Sequence, residues 1–246
     1  MSEVLSIHEK IFDELYIYFS DMYLTAERNN KECDIIERLC KLKVGDRILD
    51  VGCGHGRIAN ELARRGYCVT GIDWNHSAIE LARKNAKKSN LVIDYEQNDF
   101  LDSCWSQKFD CVLSWYTSFG FVSDEDCRQQ LAKINQVLKP KGRFLIDHIN
   151  RELCLKKLPD VSVQEREKNF MIDSYQYDIN SGYLHVNRRF IKEGKVINAP
   201  YRMRLFSFTE LKGGLNDAGF KRIEGFDSGG GTLVIDSNRM IVVGVK

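Results

Sequence analysis

Neither sign of charge prevails in this chain: 36 Lys and Arg stand against 35 Asp and Glu over 246 residues. Affinity for nucleic acid is dominated by phosphate neutralisation and needs a basic excess, so composition makes no global case for a nucleic-acid partner. No apolar stretch approaches the ~20 residues of a membrane-spanning helix, and no membrane partner is expected. Proline is scarce; Pro140, Pro159 and Pro200 punctuate patterns and form no proline-rich linker. Internal repeats and low-complexity tracts are missing. Cysteine is present at positions 33, 40, 53, 68, 104, 111, 127 and 154, yet no two form Cys-x-x-Cys and no paired His spacing accompanies them. A zinc site is therefore not expected, and a domain of this length needs no disulfide framework. Met1 to Lys10 carries Glu3, His8, Glu9 and Lys10 without the apolar core of a secretory leader, so the expected compartment is the reduced cytoplasm.

What is there centres on residues 46–56. Ile48, Leu49 and Val51 form an apolar run suited to a buried parallel strand. Gly52, Gly54 and Gly56 follow at alternate positions, and helical spacing starts at once with Ile58, Ala59 and Leu62. Strand, glycine turn and helix bring bare backbone against a nucleotide-like ligand. The dinucleotide pattern Gly-x-Gly-x-x-Gly fails, because its sixth position is Arg57. Asp50 sits two residues before the first glycine, a poor neighbour for a pyrophosphate and a good one for an ammonium or sulfonium group.

Asp50-Val51-Gly52-Cys53-Gly54-His55-Gly56 resembles motif I of the class I S-adenosylmethionine-dependent methyltransferases of small-molecule type. The resemblance implies that Gly52, Cys53, Gly54 and Gly56 wrap S-adenosylmethionine, leaving S-adenosylhomocysteine as product, and that Asp50 holds its amino-acid end directly or through water. Cys53 also fits a plain packing role between strand and helix. Val69 to Asp73 is a second apolar strand ending in a carboxylate. Asp73 lies about 20 residues beyond the loop, the offset of an acid that accepts from both ribose hydroxyls. The alternative is a cap for the helix near Asn75, a duty that Asn75 or Ser77 can fill. By the same resemblance Asp99 accepts from the adenine amine, Phe100 packs on the ring, and Trp74 and Ser114 join the cofactor contacts. A turn after a strand explains Asp99 and Phe100 nearly as well.

The rest of the chain alternates strand and helix. Strands are expected near 46–51, 67–72, 91–96, 109–114 and 143–148, and helices near 57–65, 76–88 and 124–138. This predicts an α/β fold, a doubly wound, mostly parallel, seven-stranded Rossmann-like sheet. Helical spacing also covers Ile7 to Arg28 (Ile11, Leu15, Tyr18, Phe19, Met22) and Lys31 to Leu42. After Pro159 three β-rich stretches follow, at 161–177, 183–191 and 196–206, then a helix at 208–218 and a hairpin of strands near 220–226 and 239–245. The expected domains are an N-terminal helical lid (1–42), a cofactor-binding core (43–158), an antiparallel β insert between the fifth and sixth core strands that covers substrate (159–206), and the C-terminal part of the core sheet (207–246). The insert could also serve a homodimer interface.

Methyl transfer needs a closed, aromatic-lined pocket and at most one titrating group. Trp115 to Phe121 follows the fourth strand at the mouth of the crevice. It resembles a Thr-Ser-Phe-Gly-aromatic segment of small-molecule methyltransferases. Tyr116 is a candidate to hydrogen-bond substrate or shape the methyl cavity, and Trp115 and Phe119 are candidate walls that equally well cap the core. His148, ending the fifth strand, is the candidate general base, expected to face the crevice. Arg151 suits a substrate carboxylate or a surface acid. In the insert Tyr183, His185, Asn187 and Arg189 share one face of a strand, and Leu184, Val186, Arg188 and Phe190 the other. Its arginines fit ion pairs with Glu165, Glu167 or Asp173, or contact with substrate. Tyr16, Tyr18 and Tyr23 fit a lid or simple docking on the core. No Asn/Asp-Pro-Pro-aromatic segment and no Pro-Cys nucleophile loop of nucleic-acid methyltransferases occurs. The expected function is methyl transfer to N or O of a small molecule. An RNA or protein methyltransferase docking through Arg83-Lys84 and Lys87-Lys88, and a non-catalytic cofactor-binding scaffold, are the alternatives.

Overall fold

The computed structural model describes residues 14–246, and the Ile7 and Ile11 part of the first helical pattern lies outside them. In chain order the elements are α1 (Glu14–Ser20), α2 (Ala26–Cys40), β1 (Arg47–Val51), α3 (Arg57–Arg64), β2 (Cys68–Asp73), α4 (His76–Lys88), β3 (Asp94–Gln97), β4 (Phe109–Ser114), α5 (Asp124–Val137), β5 (Leu138–Ile149), α6 (Arg151–Lys157), β6 (Val161–Arg166), β7 (Asn169–Asp178), β8 (Tyr183–Lys192), β9 (Lys195–Asn198), β10 (Tyr201–Arg204), α7 (Phe208–Asp217), β11 (Lys221–Phe226) and β12 (Arg239–Val245).

The main sheet has seven strands in the order β3-β2-β1-β4-β5-β12-β11. The first five pair in parallel, and β12 lies antiparallel to both β5 and β11. The Rossmann-like expectation, including the terminal hairpin, is met. The order reverses between β1 and β4, which opens a crevice at their carboxyl ends. Successive side chains take opposite faces, and this sorts the core in two. Ile48, Leu113, Leu145, Ile241 and Val243 pack under α2, α3 and α4. Leu49, Val112, Phe144, Ile146 and Val242 pack under α5 and α7.

Three boundaries differ from the sequence expectation. The first helical pattern is cut: α1 ends at Ser20, and Thr25 starts α2 by accepting a hydrogen bond from the Arg28 amide through its side chain. β3 starts after Leu91-Val92-Ile93, with Val92 95 % exposed, and the buried residue of that strand is Tyr95. The insert carries five strands where three stretches were expected. Glu167 and Lys168, both left-handed (φ 52° and 64°), turn β6 into β7. Pro200, which has no amide hydrogen to donate, separates β9 from β10, and both pair with β8. On β8 the buried face is Leu184, Val186, Arg188 and Phe190, as the alternation predicts.

The insert and α1 form one layer. Phe19 stacks on Phe190 at 5.9 Å, and the Tyr18 hydroxyl donates to the Arg166 carbonyl at 3.1 Å. Among the described residues no helix is long and apolar enough to cross a membrane.

Candidate active site

The glycine loop joins β1 to α3 with three left-handed residues, Gly52, Gly54 and Gly56 (φ 72°, 54° and 80°). The three are glycine for different reasons. A Cβ on Gly52 would stand 2.5 Å from the Ser118 Cβ, and one on Gly56 would strike the Tyr95 hydroxyl. A Cβ on Gly54 would meet nothing within 4 Å, so the backbone there fronts open space. Cys53 is buried in the core under α3, the plain packing role.

Asp73 ends β2 and braces this loop. Its Oδ2 accepts from the Gly54 amide at 2.8 Å and its Oδ1 from the Asn75 amide at 2.9 Å. It does not cap α4; the Asn75 side chain does, accepting from the Ala78 amide at 2.9 Å. A carboxylate oxygen accepts more than one bond, so Asp73, half-buried beside Trp74, keeps acceptor capacity. Burial raises its pKa against those amide bonds. Asp50 is 2 % exposed, and among the described residues nothing hydrogen-bonds its carboxylate. Burial, with Arg57 opposing and Asp73 adding, lifts its pKa to about 7.

Alternation puts Asp50 on the same sheet face as Ile48, and there it meets a charged group that the sequence did not announce. Tyr116, after β4, has the guanidinium carbons of Arg28, Arg57 and Arg239 at 5.1, 5.3 and 4.9 Å from its ring centre. Glu32 on α2 accepts from Arg28 at 2.7 Å, from Arg57 at 2.5 Å and from the Trp115 indole at 2.8 Å. Those partners hold Glu32 below the usual carboxylate range although burial acts the other way. Asp147 on β5 accepts from Arg239 at 2.7 Å and from the Tyr116 amide at 3.0 Å.

Several expected site residues lie elsewhere. His148 follows Asp147 and so takes the opposite face: it is fully buried, 5.9 Å edge-on to Phe206, with Nε2 near Gly120 and burial holding its pKa down to about 4. It does not face the Asp50 side of the crevice. Trp115 is a core residue tied to Glu32, and Phe119 also lies in the core. Arg151 pairs with Glu210 and Glu152 at the surface. Phe100 is buried against Trp105 with ring centres 5.8 Å apart, while Asp99 is exposed and caps its own turn through the Leu101 amide. Ser114 is 2 % exposed and shares a 2.8 Å hydrogen bond with Ser118, which in turn donates to the Val51 carbonyl.

Beyond Tyr116 lies a group of phenols. Tyr16 and Tyr23 hydrogen-bond each other, Tyr16 neighbours Tyr116 and Tyr201, and Tyr201 covers Arg188 at 5.1 Å. Burial pushes the Tyr16 phenol up to about 12 and those of Tyr23 and Tyr201 further up. Tyr16, Tyr23, Tyr116 and Tyr201 nevertheless all keep some accessible surface. Under them Arg188 and Asp173 form a buried bidentate pair at 2.8 and 2.7 Å, the ion pair expected of the insert. Among the described residues no group of three His, Cys, Asp or Glu is placed to hold a metal ion.

A family profile described as a methyltransferase domain matches residues 48–142. The ubiquinone biosynthesis O-methyltransferase of Actinobacillus pleuropneumoniae is 31% identical over 176 residues, which cover 69% of this chain and 70% of that protein. Among solved structures, an S-adenosylmethionine-dependent methyltransferase of Clostridium acetobutylicum superposes with a TM-score of 0.81 at 17% identity, covering 94% of this chain and 98% of the other. The sugar N-methyltransferase KedS8 of a Streptoalloteichus species superposes with a TM-score of 0.69 at 16% identity, covering 89% and 87%.

Proposed function

Since the chain belongs to the class I S-adenosylmethionine-dependent methyltransferases, we propose that it methylates a nitrogen or oxygen atom of a small-molecule acceptor, and that the acceptor enters a cleft beside Tyr16, Tyr23, Tyr116 and Tyr201. S-adenosylmethionine is the cofactor, and when bound it supplies a methyl group already activated on a sulfonium. The observation that carries the reading is the pairing of two features at the switch point: open space in front of Gly54 and a buried Asp50 carboxylate to which no described residue hydrogen-bonds, with the Arg57 charge beside it. A buried carboxylate that accepts no hydrogen bond is costly, and a cationic ligand group that donates to it relieves that cost.

The roles follow from chemistry. Asp50 takes the ammonium of the cofactor's amino-acid end. Ammonium and carboxylate sit on one carbon there, so Arg57, the cation beside Asp50, takes the carboxylate. Asp73 offers its spare lone pairs to the ribose hydroxyls. Asp99 serves the adenine amine, and Trp74 and Ser114 flank the cofactor. Phe100, turned into the core, supports the adenine wall from below. Tyr116 stands between this donor end and the cleft of Tyr16, Tyr23 and Tyr201. Asp147 and Glu32, the acids on the Asp50 face, are committed to arginines, so no free base is assigned. Positioning and exclusion of water can lower such a barrier by about 7–11 kcal/mol, which suits an acceptor that arrives with its lone pair free.

A small acceptor is supported by the packing of α1 on the insert, with Tyr16 near both Tyr116 and Tyr201, and by a relative and a structural neighbour whose names give a ubiquinone-pathway O-methylation and a sugar N-methylation. The test is transfer of labelled methyl from S-adenosylmethionine to fractionated metabolite, RNA and protein pools. Label in a small molecule is expected. Label confined to RNA or protein overturns the reading.

A further inference from the structure

We propose that Arg239 and Asp147 form a latch that holds Tyr116 and Thr117 in the left-handed conformation and thereby sets Tyr116 at the donor end of the site. The role rests on the cofactor reading above. Tyr116 and Thr117 have φ of 57° and 63°, two successive side-chain-bearing residues in a region that glycine usually supplies. For Thr, branched at Cβ, this is an outlier that persists only where its surroundings impose it.

The surroundings are two residues. Asp147 receives both amides of the turn: Tyr116 N–H donates to its Oδ2 at 3.0 Å and Thr117 N–H to its carbonyl at 2.8 Å. Arg239 closes the arrangement. Its Nε donates to Asp147 Oδ1 at 2.7 Å, its Nη2 to Thr117 Oγ1 at 2.7 Å and to the Asp147 carbonyl at 3.2 Å, and its Cζ lies 4.9 Å from the Tyr116 ring centre. One guanidinium thus touches all three other members.

Strand alternation explains how it gets there. Ile241 and Val243 share the face of β12 that packs under α2 and α3, and Arg239, two residues earlier, continues that face; it pairs with Ile149, so its side chain lies diagonal to Asp147, which stands opposite Ile241 on β5. A lysine has one donor centre and no plane, so it cannot make these contacts together. The last strand of the sheet therefore sets the loop after β4, and through it the residue between cofactor and cleft.

Calorimetric titration with S-adenosylhomocysteine tests the latch, with thermal melting as the control for folding. Arg239→Ala and Asp147→Asn should each weaken binding by about tenfold or more. Adding Thr117→Gly to either should recover affinity to within about threefold of the parent protein, because glycine takes the left-handed conformation without a latch. A merely structural role for Arg239 gives no such recovery. Undiminished affinity in both single variants, or no recovery with Thr117→Gly, overturns the proposal. If Arg239→Ala does not fold, the nearly isosteric Asp147→Asn and its Thr117→Gly partner decide alone. Failure of the parent protein to bind S-adenosylhomocysteine would instead overturn the cofactor reading of Asp50, and this role with it.

Discussion

Ser118 lies over Gly52 so closely that a Cβ on the glycine would stand 2.5 Å from the serine's own. This contact joins the two loops at the reversal of strand order, and Ser118 fixes it by bonding to Ser114 and to the Val51 carbonyl.

Gly52→Ala and Gly54→Ala should therefore separate stability from binding. Both residues are left-handed, which costs about 1–2 kcal/mol for a side-chain-bearing residue. Gly52→Ala adds the collision with Ser118, and its loss of stability should exceed that of Gly54→Ala by about 1–3 kcal/mol. Gly54→Ala, whose methyl group points into open space, should fold nearly as well and lose most of its affinity for S-adenosylhomocysteine. Denaturant melts and calorimetry check the pair, and equal stability losses would refute the assignment of Gly52.

Asp50→Asn should stabilise the free protein at neutral pH and weaken cofactor binding. The folded pKa of Asp50 is about 7 against 3.8 for the free side chain. Between those values the folded state holds the extra proton, so this residue's contribution to stability is greatest at low pH and is lost as pH rises to 7. Its removal should gain on the order of 1–3 kcal/mol at pH 8 and nothing near pH 4. In the parent protein a bound cation favours the ionised form, so affinity for S-adenosylhomocysteine should rise between pH 5.5 and 8. A pH-independent affinity would show that Asp50 is not the ammonium partner.

The motif-bearing half of this site was legible because its chemistry is local. Strand, glycines and Asp50 follow one another in sequence, and the backbone geometry of one turn dictates all of them. Asp147 and Arg239 were not legible. Which face of β5 looks at Asp50, and that β12 lies beside β5, follow only from sheet order, and from sequence His148 reads as the base because an ordinary imidazole pKa suits one. The two candidate readings of Trp115 were separated by Glu32, 83 residues away in sequence. In the insert, the Glu167-Lys168 turn contains no glycine, proline or asparagine to mark it, so β6 and β7 read as one stretch.

The Arg188–Asp173 pair should behave as a buried charge pair. Both side chains are under one-tenth exposed. Removing one partner leaves an uncompensated charge beneath Tyr16 and Tyr201, and either Arg188→Met or Asp173→Leu should cost about 3–5 kcal/mol. The double variant should recover most of that loss, since apolar replacement of both is often neutral. Thermal melts of the three variants check this. An additive double variant would mean that the two side chains act independently.

His148 should register in stability and not in chemistry. Its folded pKa of about 4 lies below the 6.5 of a free imidazole, because burial disfavours the charged form. Between those values the unfolded chain binds the extra proton, so acidification from pH 6.5 to 4 progressively removes up to about 3 kcal/mol. His148→Gln, which does not titrate, should lack that part of the acid slope in denaturant melts. The imidazole also sits on the sheet face opposite Asp50, while its neighbour Asp147 faces Tyr116 and accepts from that residue's amide. The variant should therefore bind S-adenosylhomocysteine as the parent does and keep its turnover with the acceptor that labelling identifies. A large fall in turnover with unchanged cofactor affinity would restore His148 as the base and would require the Gly120 turn above it to open during the reaction.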